Sequence, residues 1–304
     1  MDEILKPNFF IIGAPKSGTT ALYQYLSSHP NIYMCTPKEP HYFSNDLNGV
    51  AFVKTLDEYQ NLFKGKNKNH KIIGEASVWY LYSENALANI YNYNKEAKII
   101  VMLRNPIDLF SSLHRNFLFS GYEDKEDLKE AWDSQANRRL GNDIPQHCPD
   151  PKFLQYERVL NFGDQVEKLC LIFPQNQIKF ILFDDFTAHT LNTYQSILSF
   201  LNLQYDNRTN FPIINRSKES RIKILNRYLL SPPKNVKKIW GLSKKIFGNN
   251  IIKLANKLIL INSKKITHKD KIDLDFKKEL KKQIKPNVDK LSDIINRDLS
   301  QWLE

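Results

Sequence analysis

Residues 13–20, GAPKSGTT, combine the residue types that bind anions. They follow an apolar run typical of a strand, and the two threonines begin a helical pattern. A glycine at each side of the turn permits close approach of the backbone to a ligand. Free N–H groups at the start of a helix, with the positive end of its dipole behind them, bind phosphate or sulfate. One ammonium and three hydroxyls strengthen this prediction of an anion-binding loop; they belong to Lys16, Ser17, Thr19 and Thr20.

The spacing of this loop differs from that of a Walker A loop, in which the lysine directly follows the second glycine. Here Thr19 occupies that place, and Lys16 lies before Gly18. Residues 179–185, KFILFDD, resemble the Walker B strand with its acids, so a P-loop-like kinase or NTPase stays open as an alternative. The misplaced lysine argues against it, because Mg–ATP chemistry needs that lysine next to Ser or Thr.

A second anion-binding pattern follows a later apolar run. Arg104 comes directly after that run, and Pro106 suits the first turn of a helix. Ser112 follows about two helical turns further on. Ligands of α/β proteins bind at the carboxyl ends of strands, and an arginine with a hydroxyl forms a good clamp for a phosphate monoester. The pattern predicts a phosphate site made by Arg104 and Ser112.

Together these patterns resemble the sulfotransferases that use 3′-phosphoadenosine 5′-phosphosulfate (PAPS). Residues 15–20 look like the 5′-phosphosulfate loop of that family, and Arg104 with Ser112 looks like its 3′-phosphate site. The resemblance implies that PAPS is the co-substrate and that a sulfuryl group passes to a hydroxyl or amine of an acceptor. It also implies that Lys16 stabilises charge on the leaving bridging oxygen, while the backbone of Ser17–Thr20 holds the 5′-phosphate.

Residues 38–43, KEPHYF, resemble a stretch of the heparan-modifying sulfotransferases, which implies that Glu39 is the catalytic base. A carboxylate beside apolar rings is expected to have a raised pKa. His41 is the second candidate, since an unperturbed imidazole titrates near neutral pH, and His114 is the third. The sequence leaves the choice between Glu39 and His41 open.

Further resemblances extend the match over roughly residues 8 to 302, and three departures accompany them. Residues 75–78, EASV, lack the Lys and Pro often found there in the family, and Asp164 stands where Tyr is common. The glycine-rich cofactor loop of the cytosolic hormone sulfotransferases is missing. In its place Lys218 and Arg221 are predicted to reach the 3′-phosphate. The supporting stretches are residues 161–165, 173–178, 182–186 and 296–302.

Five short apolar runs predict strands, with helical patterns between them. Most runs lack strict alternation, which is typical of strands buried on both faces of a parallel sheet. This order predicts a doubly wound α/β fold with right-handed crossovers and helices on both faces. The predicted strands are Phe9–Ile12, Ile32–Met34, Ile72–Gly74, Ile99–Leu103 and Ile178–Phe183, and helices are predicted at Thr19–Ser28, Pro106–Phe119 and Asp164–Phe173.

We expect one domain over residues 1–304, since no linker is clear enough to divide it. A loop is predicted at Gly141–Pro151, which contains three prolines. From about residue 215 the pattern becomes helical and rich in lysine, with helices predicted at Ile251–Ile261 and Phe276–Trp302. This basic C-terminal part is predicted to cover the sheet.

The charge is unevenly distributed. Residues 221–285 carry 19 Lys/Arg against 4 Asp/Glu, a net +15, whereas the whole chain is at +11, which leaves −4 for the rest. A basic segment favours anionic ligands, nucleic acid or an anionic membrane face, so a non-enzymatic binder of nucleic acid or a membrane surface is a second alternative. In the enzyme hypothesis no nucleic-acid partner is expected, and peripheral membrane contact stays open.

No apolar run reaches membrane-spanning length, and the first residues lack the pattern of a signal peptide. The three cysteines are odd in number and widely spaced, which favours a reducing, cytoplasmic location. No metal is expected, because no His/Cys/Asp spacing typical of a metal site is present. The acceptor, a small molecule, lipid or glycan, and the oligomeric state are not determined by the sequence.

Overall fold

The computed structural model describes residues 6–214, 218–220, 263–265 and 272–304. The chain forms two compact units. The first comprises Met1–Leu109, Glu157–Asn215 and Lys278–Glu304, and the second comprises Phe110–Tyr156 and Arg216–Lys277. The expectation of a single domain over the whole chain stays a prediction.

A five-stranded parallel sheet forms the centre of the first unit. Its strands are β1 Phe9–Gly13, β2 Ile32–Met34, β3 Ile72–Ala76, β4 Lys98–Leu103 and β5 Ile178–Leu182. They lie in the order β2-β3-β1-β4-β5, and every neighbouring pair is parallel. The direction of winding reverses beside β1, where α/β sheets bind their ligands at the carboxyl ends of the strands.

Helices connect the strands, as the alternating pattern predicts, and the doubly wound α/β fold is confirmed. Every residue of β1 and β3 is buried, since helices cover a parallel sheet on both faces. The helices are α1 Thr19–Ser27, α2 Leu56–Asn61, α3 Ala86–Tyr93, α4 Pro106–Ser120, α5 Leu128–Asp133, α6 Gln135–Arg139, α7 Tyr156–Leu160, α8 Phe162–Ile172, α9 Phe183–Ala188, α10 Thr190–Phe200 and α11 Leu274–Ile295.

One face of α1 anchors the anion-binding loop to the sheet. The helical spacing of Leu22, Tyr25 and Leu26 puts these side chains in the core, together with Phe9 and Ile11 of β1. Full burial of one such apolar side chain contributes roughly 1.5–3 kcal/mol. The start of α1 is therefore held rigidly at the carboxyl end of β1.

Several element boundaries differ from the predicted ones, and one pair of short strands was not predicted. The last strand ends at Leu182, and Phe183 begins α9, because the chain turns into a helix where the apolar run meets two aspartates. In the second unit, Lys218–Ser220 (β6) pairs antiparallel with Ser263–Lys265 (β7) in a part predicted to be helical. The predicted C-terminal helix is present as α11, followed by a 3-10 turn at Ser300–Leu303.

Other predictions fall on the rest of the C-terminal part. The helix predicted at Ile251–Ile261 lies outside the described residues. The loop predicted at Gly141–Pro151 carries no helix or strand before a 3-10 turn begins at Pro151.

Candidate active site

The loop at residues 13–20 runs from the end of β1 into the first turn of α1. Gly18 caps the helix with a left-handed backbone, φ 86°. This conformation favours glycine, and a Cβ at this position would also make a tight contact, 3.0 Å, with the ring of Phe183. The first N–H groups of a helix have no acceptor in a preceding turn, so they can bind a ligand at the loop. This geometry fits the predicted anion cradle.

The side chains of the loop differ in their exposure to solvent. Ser17 is fully buried, and its hydroxyl donates to the carbonyl of Pro15 at 3.3 Å, so its backbone is what it offers a ligand. Thr19 is also buried, whereas Lys16 and Thr20 are partly exposed. Lys16 has a left-handed backbone, φ 59°, which is uncommon for a residue with a side chain.

Arg104 lies against this loop. Its Nη1 donates to the backbone carbonyl of Lys16 at 3.1 Å, and its guanidinium lies over the ring of Phe183, 4.8 Å from the centroid. Its Nη2 is 3.8 Å from Oδ2 of Asp108, one helical turn along α4. The structure thus brings Arg104, one of the two residues of the second anion-binding pattern, to the loop of the first.

The structure does not test the other residues predicted to bind the 3′-phosphate. Ser112 is buried on α4, in the second unit. Lys218 lies in β6, where the backbone alone is described. Arg221 lies outside the described residues. Their roles stay predictions.

A strained loop after β2 carries the two candidates for the catalytic base. Glu39 and His41 have left-handed backbones, with φ 66° and 52°. The loop is tied to the end of β3, because the Glu39 N–H donates to the carbonyl of Ala76 and the His41 N–H donates to Oγ of Ser77, both at 3.1 Å. Such strain persists only where the surroundings hold it, and it is concentrated at functional sites.

The side chain of Glu39 is paired on both sides. The ammonium of Lys38 donates to Oε1, and Nε2 of His41 lies 3.6 Å from Oε2. The expectation of a raised pKa is wrong. Burial does oppose ionisation, but the His41 hydrogen bond and the Lys38 charge outweigh it and lower the pKa of Glu39 to about 2. Glu39 is therefore ionised at neutral pH and is a weak base in this arrangement.

His114, the third candidate, is buried on α4, and its Nε2 lies 2.8 Å from the carbonyl of Lys125 within the second unit. His41 is 3% exposed, and its Nδ1 has no hydrogen-bond partner. Within the residues that the structure describes, His, Cys, Asp and Glu side chains form no group able to hold a metal ion.

A carboxyl group that the sequence analysis did not assign lies beside the base loop. Glu75 of β3 is fully buried, and neither of its oxygens accepts a hydrogen bond of regular geometry. Burial raises its pKa to about 7, although the hydroxyls of Tyr80, Tyr59 and Ser77 act in the opposite direction. An acid inside an apolar strand pattern was the available signal, since perturbed carboxyls cluster at functional sites.

Phe183 is the other residue without a predicted role. It supports the loop at Gly18 and the guanidinium of Arg104 at the same time. Its position directly after a strand, at the edge where the other site residues lie, is the signal that points to it.

A family model described as "Sulfotransferase domain" matches residues 6–246. The solved structure of a sulfotransferase from Alicyclobacillus acidocaldarius matches with a TM-score of 0.72 and 24% identity, over 99% of this chain and 100% of that chain. This likeness shows the fold.

Curated relatives match over shorter stretches. "Membrane-associated sulfotransferase kil1" of Dictyostelium discoideum is 38% identical over 104 residues, which are 34% of this chain and 21% of that protein. "Carbohydrate sulfotransferase 15" of Mus musculus is 24% identical over 255 residues, with 65% of this chain and 44% of that protein covered. The chain therefore spans less than half the length of these two relatives. Among the described helices, none is both long and apolar enough to span a bilayer.

Proposed function

This chain belongs to the sulfotransferase family, and from that premise we propose that it transfers a sulfuryl group from PAPS to a hydroxyl or amine of a glycan or small-molecule acceptor. One observation carries the proposal: the guanidinium of Arg104 donates to the backbone of Lys16. An anion-binding helix start and a strand-end cation thereby meet at one edge of the sheet.

The residues present fit a nucleotide that carries two anionic groups. At Gly18 the helix start has no side chain, and a Cβ would fill the space beside Phe183. The donors are N–H groups, an ammonium and a guanidinium, which suit phosphate and sulfate oxygens. Lys16 and the backbone of Ser17–Thr20 would hold the 5′ side, and Arg104 would hold the 3′-phosphate. When bound, PAPS supplies the activated sulfuryl group.

The protein's own part in this reaction is positioning and charge stabilisation. With PAPS bound, the helix start and Lys16 would stabilise negative charge on the leaving phosphate side. Glu39, ionised and held by Lys38 and His41, accepts a proton from the acceptor hydroxyl. His41 stays the second candidate for this step, because its ring faces the same carboxylate.

A kinase or NTPase is not favoured. Of the two acids that resemble a Walker B sequence, Asp185 accepts a hydrogen bond from Arg297 at 2.8 Å, so its charge is already paired. A purely nucleic-acid or membrane binder is not favoured by the family either, although the basic segment leaves peripheral contact with an anionic surface as a proposal. The unpaired cysteines keep a cytoplasmic location as a proposal.

Calorimetry with 3′-phosphoadenosine 5′-phosphate, against ATP as competitor, tests the nucleotide site. We expect the bisphosphate to bind and Arg104→Ala to weaken binding by about 2–5 kcal/mol, because a charged partner is removed. Arg139→Ala, which removes an exposed arginine elsewhere, is the control. Equal loss in both variants, or preference for ATP with Mg²⁺, contradicts the proposal.

Turnover with radiolabelled PAPS and a panel of glycan and small-molecule acceptors tests the reaction. Lys16→Ala is expected to lower kcat by about 10²–10³, the cost of one lost stabilising donor in the transition state. Its thermal unfolding should match that of the wild-type protein. Lys64→Ala, at an exposed lysine, controls for the loss of one charge. If kcat survives Lys16→Ala, the loop does not stabilise the leaving group.

A further inference from the structure

The strongest unassigned feature is the buried acid of β3. Glu75 is completely inaccessible to solvent, and its two oxygens lack regular hydrogen bonds. A buried carboxyl group without regular hydrogen bonds is costly, and its presence calls for an explanation. Glu75 is followed by the residues that hold the base loop, since Ala76 and Ser77 accept the N–H groups of Glu39 and His41.

Lys38 links this acid electrostatically to the candidate base. Its ammonium donates to Glu39, and its side chain is 14% exposed. The same ammonium attracts Glu75, which lowers the pKa of that carboxyl against the larger effect of burial. One cation therefore acts on two carboxyl groups, of which Glu39 is partly exposed and Glu75 is fully buried.

We propose that Glu75 is a positioning residue that sets the proton affinity of Glu39 through the Lys38 ammonium that both acids share. The proposal rests on the sulfuryl-transfer function and deepens it. When Glu75 is neutral, Lys38 acts fully on Glu39 and keeps it a weak base. When Glu75 is ionised, it competes for Lys38 and adds negative charge nearby, so both effects raise the pKa of Glu39 and make it a stronger base.

The groups around Glu75 support this assignment of the titration. Burial raises the pKa values of Cys35, Tyr59 and Tyr80 well above their usual ranges, so these groups stay neutral near pH 7. Burial also raises the pKa of Tyr93. Lys38 is the cation that acts on the carboxyl, and His41 faces Glu39 from the other side. The groups that interact electrostatically or by hydrogen bonding with Glu75 are Cys35 and Lys38 after β2, Tyr59 of α2, Tyr93 of α3, and Ser77 and Tyr80 after β3.

The test compares pH profiles of kcat for the wild-type protein and Glu75→Gln, which keeps the shape of the side chain but cannot ionise. We expect the wild-type kcat to rise about tenfold through pH 7, a part of the roughly 10²–10⁴ that a general base contributes. In Glu75→Gln this step should be absent, with kcat near the wild-type value at pH 5.5 and about tenfold lower at pH 8. Because His41 is present in both proteins, its contribution is common to the two profiles.

Tyr59→Phe is the conservative variant that separates this role from a structural one. The Tyr59 hydroxyl helps to stabilise the ionised form of Glu75, so its removal should move the step to higher pH without abolishing it. A merely structural role for Glu75 would leave the position of the step unchanged. Profiles of Glu75→Gln and wild type that coincide, or a step that does not move in Tyr59→Phe, overturn the inference.

A measurement without turnover keeps the inference apart from the proposed function. Isotope-labelled glutamate carboxyl carbons, followed by NMR, should show Glu39 responding to a second ionisation near pH 7 in wild type and not in Glu75→Gln. If no acceptor is sulfated but this response is seen, the proposed function fails and the coupling stands. If sulfation occurs and Glu39 shows no response, the coupling fails alone.

Discussion

Two buried glutamates, one in each unit of the molecule, have opposite surroundings. Glu75, in the first unit, and Glu123, in the second, are both completely buried. Burial opposes ionisation of both, yet the pKa of Glu75 is raised to about 7 and that of Glu123 is lowered. Burial alone therefore does not determine the charge of an acid in this protein.

The partners of Glu123 explain the difference. Arg138 is also buried, and its Nη1 and Nη2 each donate a hydrogen bond to one carboxylate oxygen at 2.7 Å. The hydroxyl of Tyr156 donates to Oε2 at 2.7 Å. The backbone N–H groups of Asp124 and Lys125 complete the set. Charge-assisted, bidentate bonds of this kind compensate for lost hydration and keep the acid ionised.

The contrast teaches that the second unit uses its buried acid for structure, whereas the first unit leaves one incompletely bonded beside the site. Glu123 in its fully hydrogen-bonded cluster stays ionised when the pH changes near neutrality, because its fixed partners stabilise the negative charge. An unsatisfied acid responds to pH near neutrality, which suits a role in a reaction that moves a proton.

Breaking the satisfied cluster should have the largest effect on stability. Arg138→Met leaves Glu123 buried without its cation, and we expect a loss of about 3–5 kcal/mol in the free energy of unfolding. Urea denaturation measures it. Arg139→Met, the exposed neighbour on α6, should change stability by no more than about 0.5 kcal/mol. Similar losses in both variants would show that the Glu123 cluster contributes no more to stability than an exposed arginine does.

The pH dependence of stability should distinguish the two acids. The pKa of Glu75 rises from 4.5 to about 7 on folding, so its contribution is fully favourable below pH 4.5 and is lost as the pH rises through 7. The difference corresponds to about 3 kcal/mol. Denaturation at pH 5 and pH 8 should show this decline in wild type and not in Glu75→Gln.

Glu123 has the opposite sign and acts in another pH range. Its pKa is lowered, so its contribution is present above pH 4.5 and is lost as the pH falls further. It should therefore add no slope between pH 5 and pH 8. A decline in that range that persists in Glu75→Gln would assign the effect to other groups.

Removal of one hydroxyl from the Glu123 cluster gives a smaller effect. Tyr156→Phe deletes a hydrogen bond to an ionised carboxylate, and we expect a loss of about 1.5–3 kcal/mol in the free energy of unfolding. The measurement is urea denaturation at pH 7. A neutral result would mean that Arg138 and the backbone N–H groups suffice.

The matching substitution beside Glu75 should have the smallest effect. The hydroxyl of Tyr59 makes no hydrogen bond of regular geometry, so Tyr59→Phe should cost no more than about 0.5 kcal/mol at pH 5.5. A loss equal to that of Tyr156→Phe would show that the two hydroxyls are equally well hydrogen-bonded, which contradicts the difference between Glu75 and Glu123.

Much of the fold was predictable because local rules determine it. Four of the predicted strands lie within the observed ones, since an apolar run between helical patterns indicates a buried parallel strand. The fifth extended one residue too far, to Phe183, because its apolar side chain continues the run while its backbone starts α9. The short strand at Lys218 was not predictable, because its partner at Ser263 is distant in the sequence.

The individual motifs of the candidate site were predictable from the sequence, whereas the pKa values of its acids were not. The glycine turn, the helix start and the strand-end arginine follow from the sequence, because they depend on backbone geometry and on residues close along the chain. The tertiary structure alone decided that Arg104 touches the loop, that Glu39 is a weak base, and that Glu75 titrates near neutrality. A pKa depends on burial and on neighbouring charges from several strands and helices, and no local pattern records these neighbours.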